Sequence, residues 1–168
     1  MQLPRRLFAT AAAALLCFVG VSPASAALKP GDEFPDLSKF KLEGKLPDTL
    51  KGKVVLVDFW ASWCGPCAAS FPTMEALYGQ YKDKGFVILA LSVDQKPSQM
   101  ESFLKKHTVT FPVVRDAEQM LVATAEAEAM PTSILLDGAR KVRFVHKGFR
   151  GEETKKKYIV EIESLLKE

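Results

Sequence analysis

Two cysteines three residues apart, Cys64 and Cys67, are the side chains in this sequence whose type and spacing can do chemistry. They close the segment "DFWASWCGPC", Asp58 to Cys67. A pair at this spacing can be a structural staple, half of a metal site, or a dithiol that passes electrons to another protein. The chain has one further cysteine, Cys17, and two histidines, His107 and His146, far along the sequence. A structural zinc site takes four ligands, and this inventory does not supply them around the pair. A staple across two intervening residues closes too small a loop to constrain the unfolded chain much. What is left is a reversible dithiol, whose sense depends on the compartment around it.

The N-terminus points to export. Arg5-Arg6 forms a positive n-region, Leu7 to Val21 is nearly all apolar, and Ala24-Ser25-Ala26 reads as a small-residue cleavage site. The apolar run is about 15 residues, short of the ~20 that a membrane-spanning helix needs. Residues 1–26 are therefore expected to be a secretory signal peptide cleaved after Ala26, giving a periplasmic protein. If the segment is retained, it becomes an N-terminal membrane anchor. Leu16 before Cys17 argues against lipidation, and "RRLF" leaves both the general and the twin-arginine export routes open. Loss of the signal removes Cys17 and leaves 27–168 as one domain in an oxidising compartment, holding only Cys64 and Cys67.

The elements that must position the pair are legible around it. Lys53 to Phe59 ("KVVLVDF") is a β-branched apolar run of the kind that forms a central buried strand. After Cys64, the apolar residues Phe71, Met74, Leu77, Tyr78 and Tyr81 recur at intervals of three and four, which is helical. The pair thus sits where a strand ends and a helix starts. There the free amides and the positive end of the helix dipole favour thiolate over thiol. Spacing of i and i+3 puts both sulfurs on one face of the first turn. Gly65 keeps the loop open and Pro66 suits a first helical turn, whereas Pro72 should kink the helix. Asp58 stands in the apolar strand, where a carboxylate costs several kcal/mol unless paired or protonated. It is either a strand-end acid facing water or a buried proton acceptor with a raised pKa.

Further along, Gly85 to Asp94 reads as a second central strand and Gln99 to Lys106 as a helix. Phe111 to Arg115 reads as a short strand and Gln119 to Ala127 as another helix. Thr132 to Leu136 and Val142 to His146 form a hairpin through Asp137-Gly138, and Glu152 to Leu166 is a closing amphipathic helix. At 168 residues, with 48% hydrophobic and 26% charged, the chain can bury one sizeable core. No internal repeat or long polar linker divides it. The net charge is +3, or +1 without Arg5 and Arg6, so no pull toward nucleic acid is expected. Lys155 to Lys157 reads as a solvated helix face.

"DFWASWCGPC" resembles the thioredoxin active-site segment nearly residue for residue. From about Gly31 to its C-terminus the chain is similar to exported thioredoxin-like reductases of the TlpA/ResA type. The resemblance rests on "GKVVLVDFWASWCGPC", on Phe71-Pro72 and on "MPTSILLD", Met130 to Asp137. It implies an α/β thioredoxin fold: a central mixed sheet flanked by helices, with an N-terminal hairpin before Lys53 and a strand–helix insertion between Cys67 and Pro131. It implies that Cys64 attacks and Cys67 resolves the mixed disulfide, and that Asp58 accepts the proton of Cys67. It also implies that Pro131 is cis and faces the disulfide, with Met130 offering backbone groups to an extended substrate segment. Trp63, Gly65, Pro66, Met130 and Pro131 are the expected substrate-contacting set, and Trp60 is core. Gly148 is either part of the substrate groove or a plain turn residue, and His107 and His146 read as packing residues.

Two departures from the pattern stand out. The lysine neighbouring the buried acid in thioredoxin falls on Ala90, and the glutamate of ResA-type proteins falls on Ser70. The expected activity is reduction of protein disulfides without a cofactor or metal, by a monomer recharged by a membrane electron donor. Cytochrome c maturation is one substrate class, though Thr132 replaces a glutamate typical of that subgroup. A peroxiredoxin-type peroxidase lacks its Pro-x-x-x-Thr-x-x-Cys setting here, and a copper-handling module of this fold lacks its wider cysteine spacing and histidine.

Overall fold

A computed structural model of the protein describes residues 27–168. The expected signal peptide, its cleavage site and Cys17 lie outside them. Six strands form one mixed sheet. They are β1 (Leu42–Glu43), β2 (Val54–Trp60), β3 (Phe86–Ser92), β4 (Val113–Asp116), β5 (Thr132–Leu136) and β6 (Val142–Lys147). Four helices accompany them: α1 (Gly65–Tyr81), α2 (Pro97–Lys106), α3 (Met120–Thr124) and α4 (Glu152–Leu165). The sheet order is β1-β4-β3-β2-β5-β6. β2, β3 and β4 run parallel, while β5, β6 and β1 are antiparallel to their neighbours. This is the expected thioredoxin-like fold.

β2 is buried at every residue and β3 at every residue but Val87, which is why β2 reads as an apolar run broken only by Asp58. From α1, Phe71, Met74, Leu77 and Tyr81 face the sheet; from α4, Tyr158, Ile162 and Leu165 do. Each such fully buried large side chain is worth roughly 1.5–3 kcal/mol relative to exposure. An aromatic cluster locks the start of α1 to β2 and α2. Trp60 lies 4.8 Å from Phe71 and 4.7 Å from Phe103 between ring centroids, and Phe71 packs edge-on against Phe111. α1 continues through Pro72 as one element.

The N-terminal part differs from the expected hairpin. Its two extended pieces do not pair with each other: Glu33 bridges to Lys141, while β1 pairs with β4 at the far edge. Gly44, at φ +124°, lets β1 lie this close, since a Cβ there would stand 3.0 Å from the Val113 carbonyl. The expected extra strand and helix between Cys67 and Pro131 are present, since after α1 that interval holds β3, α2, β4 and α3. α3 is shorter than its sequence period because left-handed residues bound it, Gln119 at φ 56° and Glu126 at φ 48°.

Candidate active site

Cys64 caps the N-terminus of α1 and Cys67 lies in its first turn, directly after β2 and its short connector. The two are joined as a disulfide with a Cα–Cα separation of 5.3 Å. The Cys67 amide N–H donates to Cys64 Sγ at 3.2 Å, so the sulfur occupies the place of a capping oxygen. Pro66 sits inside the first turn, where its missing N–H leaves no gap in the ladder. Cys64 is 6% exposed and Cys67 fully buried, so access to the bond is from the Cys64 side.

Around Cys64 the surface is open. Trp63 is 69% exposed, and Gly65 and Pro66 are exposed beside it. A cleft of about 540 Å³ runs along Trp63, Cys64 and Gly65 and follows α2 from Gln99 in its first turn to Lys106 and the cap His107. Trp63 and Gln99 also border a second cleft, of about 440 Å³, that reaches Gln95, Gln119 and Met130. Trp63 therefore stands between the sulfur and the segment before β5. The Met130–Pro131 peptide is cis. Gly148, at φ +80°, donates its N–H to the Pro131 carbonyl at 2.7 Å, so this glycine fixes the proline segment from the neighbouring strand end.

Behind the disulfide the surroundings are closed. Asp58 is fully buried in β2, which removes the solvent-facing alternative. In register it faces Ala90 on β3 and Ser133 on β5. Burial pushes its pKa up to about 7, opposed by the hydrogen bond that the Ser133 hydroxyl donates to Oδ1. Oδ2 is buried without a partner. The Ser133 oxygen in turn accepts the Tyr158 hydroxyl at 2.7 Å, and burial raises the Tyr158 pKa, with the Asp58 charge adding to it. Trp60 is fully buried core, as expected, and Ser70 donates to the Cys67 carbonyl.

A buried brace sets the loop that carries Trp63. Asp94 accepts the Ser62 amide and hydroxyl, the latter at 2.8 Å, and the Ser92 hydroxyl at 2.9 Å. The buried Arg115 donates to the Asp94 and Gln95 carbonyls and pairs with Glu43 at 2.6 Å, tying β1 and β4 to that loop. His107 stacks on Phe103 at 4.2 Å. His146 is more than a packing residue: Nε2 lies 2.7 Å from a Glu161 carboxylate oxygen, and its ring meets Tyr158 edge-on.

Sequence reasoning missed Ser133, Tyr158 and Asp94. A signal existed for the first, since Ser133 is a polar residue in an apolar strand predicted to enter the same sheet as Asp58. Nothing in the periodicity of α4 marked Tyr158 out from its apolar neighbours. Among the described residues no group of three or more His, Cys, Asp or Glu side chains is placed to hold a metal.

A family model described as Redoxin matches residues 29–160. The "Thiol-disulfide oxidoreductase ResA" of Bacillus cereus (strain ZK / E33L) is 41% identical over 128 residues, covering 74% of this chain and 72% of that protein. The protein of the same name from Bacillus subtilis (strain 168) is 31% identical over 153 residues, covering 84% and 85%. A crystal structure assigned to a thiol:disulfide interchange protein DsbE from Chlorobium tepidum superposes with a TM-score of 0.77 at 38% identity, over 83% of this chain and 99% of that one.

Proposed function

The chain belongs to the Redoxin family and is a thiol–disulfide oxidoreductase, and on that premise we propose that it reduces disulfides in exported proteins through Cys64 and Cys67. The observation that carries the reading is the asymmetry of the pair. One sulfur caps a helix beside an exposed tryptophan, and the other is fully buried, as is Asp58 of the preceding strand, whose pKa is pushed up to about 7.

In the proposed cycle the Cys64 thiolate, favoured by the α1 N-terminus, attacks one sulfur of a substrate disulfide. A mixed disulfide forms and the first substrate thiolate leaves. Cys67 then gives its proton to Asp58 and attacks Cys64 Sγ, which expels the second substrate thiolate and forms the Cys64–Cys67 disulfide. Two electrons have passed to the substrate, and a membrane donor of reducing equivalents returns them. Trp63, Gly65 and Pro66 form the contact face for the substrate. The Met130–Pro131 segment, before β5, receives an extended stretch of it as an added strand. No cofactor enters the cycle. A monomer suffices, with apocytochrome c as one substrate class. Export by the N-terminal segment, to the periplasm or to a membrane-anchored position facing it, belongs to the same proposal.

The test is trapping. Cys67→Ser is expected to accumulate mixed disulfides with natural partners, and Cys64→Ser to trap almost none. Trapping through Cys64→Ser would reverse the roles. Peroxide consumption without insulin reduction would replace the reading with a peroxidase.

A further inference from the structure

Asp58 has an unusual set of neighbours for a buried acid. Its cross-strand partner on β3 is Ala90, which offers it neither charge nor hydrogen bond. On β5 the partner is Ser133, whose hydroxyl donates to Oδ1. Ser133 has one proton to give and gives it to the carboxyl, and its oxygen is filled by the Tyr158 hydroxyl from α4. Both hydroxyls are buried, and both point their protons toward Asp58. A hydrogen bond donated to a charged acceptor is among the stronger ones, and a second donor in line polarises the first. Beyond Tyr158 the titratable groups are Glu161 on α4 and His146 on β6, which pair with each other at 2.7 Å. On α1 the buried thiol residue is Cys67, in the first turn.

We propose that Ser133 and Tyr158 are positioning residues for this reaction: their two hydroxyls form a directed relay that holds Oδ1 of Asp58 and leaves Oδ2 as the oxygen that takes the proton of Cys67. The inference rests on the reading of Asp58 as proton acceptor. In the transfer, the Cys67 S–H bond breaks, an O–H bond forms at Oδ2, and the freed thiolate pair attacks Cys64 Sγ, breaking its bond to the substrate sulfur, which leaves as a thiolate. The relay moves no proton. It supplies donors to the carboxylate in place of a cation, so that the acid ionises at a working pH in spite of its burial. It also keeps the acid in one rotamer, because Oδ1 is tied to a neighbouring strand and, through it, to α4.

The chain of bonds predicts an ordered effect. Removing Ser133 takes away the direct donor, and removing the Tyr158 hydroxyl takes away only the polarising one. The Asp58 midpoint, followed by carboxyl-carbon NMR in the oxidised full chain, is expected to rise by about one to two pH units in Ser133→Ala. In Tyr158→Phe it should rise by a smaller fraction, and in Ser133→Thr it should stay near wild type. The alkaline shift should reappear in the pH dependence of insulin reduction. Tyr158→Phe, which leaves the packing of the ring intact, keeps the test open should Ser133→Ala unfold. A midpoint unmoved in Tyr158→Phe and in a folded Ser133→Ala overturns the relay. Asp58→Asn separates the two levels. If its reduction rate keeps the wild-type pH profile, the proton-acceptor reading fails. If its profile changes while the midpoints stay still, the relay alone fails.

Discussion

The two sides of the Cys64–Cys67 bond differ in almost every physical respect. On the Cys64 side, Trp63, Gly65 and Pro66 are exposed, and the cleft beside them runs to Lys106 and His107 of α2 and its cap. On the Cys67 side, Asp58, Ser133 and Tyr158 are buried, in a region where a charge is costly and a hydrogen bond strong. The difference teaches that helix geometry alone divides the labour of the pair. Three residues along α1 take a sulfur from 6% exposure to full burial, which is the asymmetry that the proposed roles of the two cysteines rest on.

The largest expected break in that contrast is Asp58→Asn. With Asp58 in its proposed role as proton acceptor, its loss is expected to slow insulin reduction on the order of a hundredfold near pH 7–8. The same change should alter stability with a defined sign. The folded pKa, about 7, lies above the ordinary carboxylate value, so between the two the folded state holds a proton that the unfolded state has lost. Wild-type stability therefore falls as pH rises from about 4 to about 7, by up to roughly 4 kcal/mol. Urea unfolding of the oxidised protein should show this slope, and Asp58→Asn should flatten it.

Trp63→Ala attacks the rim instead. Its exposure means the fold loses little, and the substrate contact is what goes. KM for a protein disulfide should rise about five- to tenfold, on the scale of a truncated interface aromatic. Turnover of a small disulfide should stay unchanged. An equal loss with both substrates would place the tryptophan in the chemistry and blur the contrast.

Gly148→Ala should have the smallest effect. A Cβ there meets no atom within 4 Å, so the cost is that of φ +80° for an L-residue, about 1–2 kcal/mol. Thermal unfolding should show that loss, with insulin reduction slowed no more than a few-fold. A larger kinetic loss would mean that the bond to the Pro131 carbonyl governs the groove directly.

The rim was more legible in the sequence than the rear. Cys64, Cys67, Trp63 and the strand-to-helix passage are contiguous, so local spacing places them. β2 and α1 announce themselves by an apolar run broken only by Asp58 and by a three-four period. The rear is assembled by register between distant strands. That Asp58 meets Ser133, and Ser133 meets Tyr158, depends on β5 lying antiparallel to β2 and on where α4 docks. The pairing of β1 was misplaced for a related reason: its two residues join the sheet through β4, far along the chain, and not through a neighbouring hairpin strand. The ends of α3 were misjudged because backbone conformation at Gln119 and Glu126, rather than apolar period, limits it.

The central claim is that this asymmetric pair donates electrons. Strong oxidants of the fold stabilise the attacking thiolate heavily; here the protein offers Cys64 the helix N-terminus and the Cys67 amide, while His107 is stacked on Phe103. The reduction potential of the Cys64–Cys67 couple, measured against a glutathione series, tests this most directly. The account predicts a value nearer roughly −270 mV than roughly −120 mV, and a potential above about −170 mV would contradict it and make the protein an oxidant or isomerase.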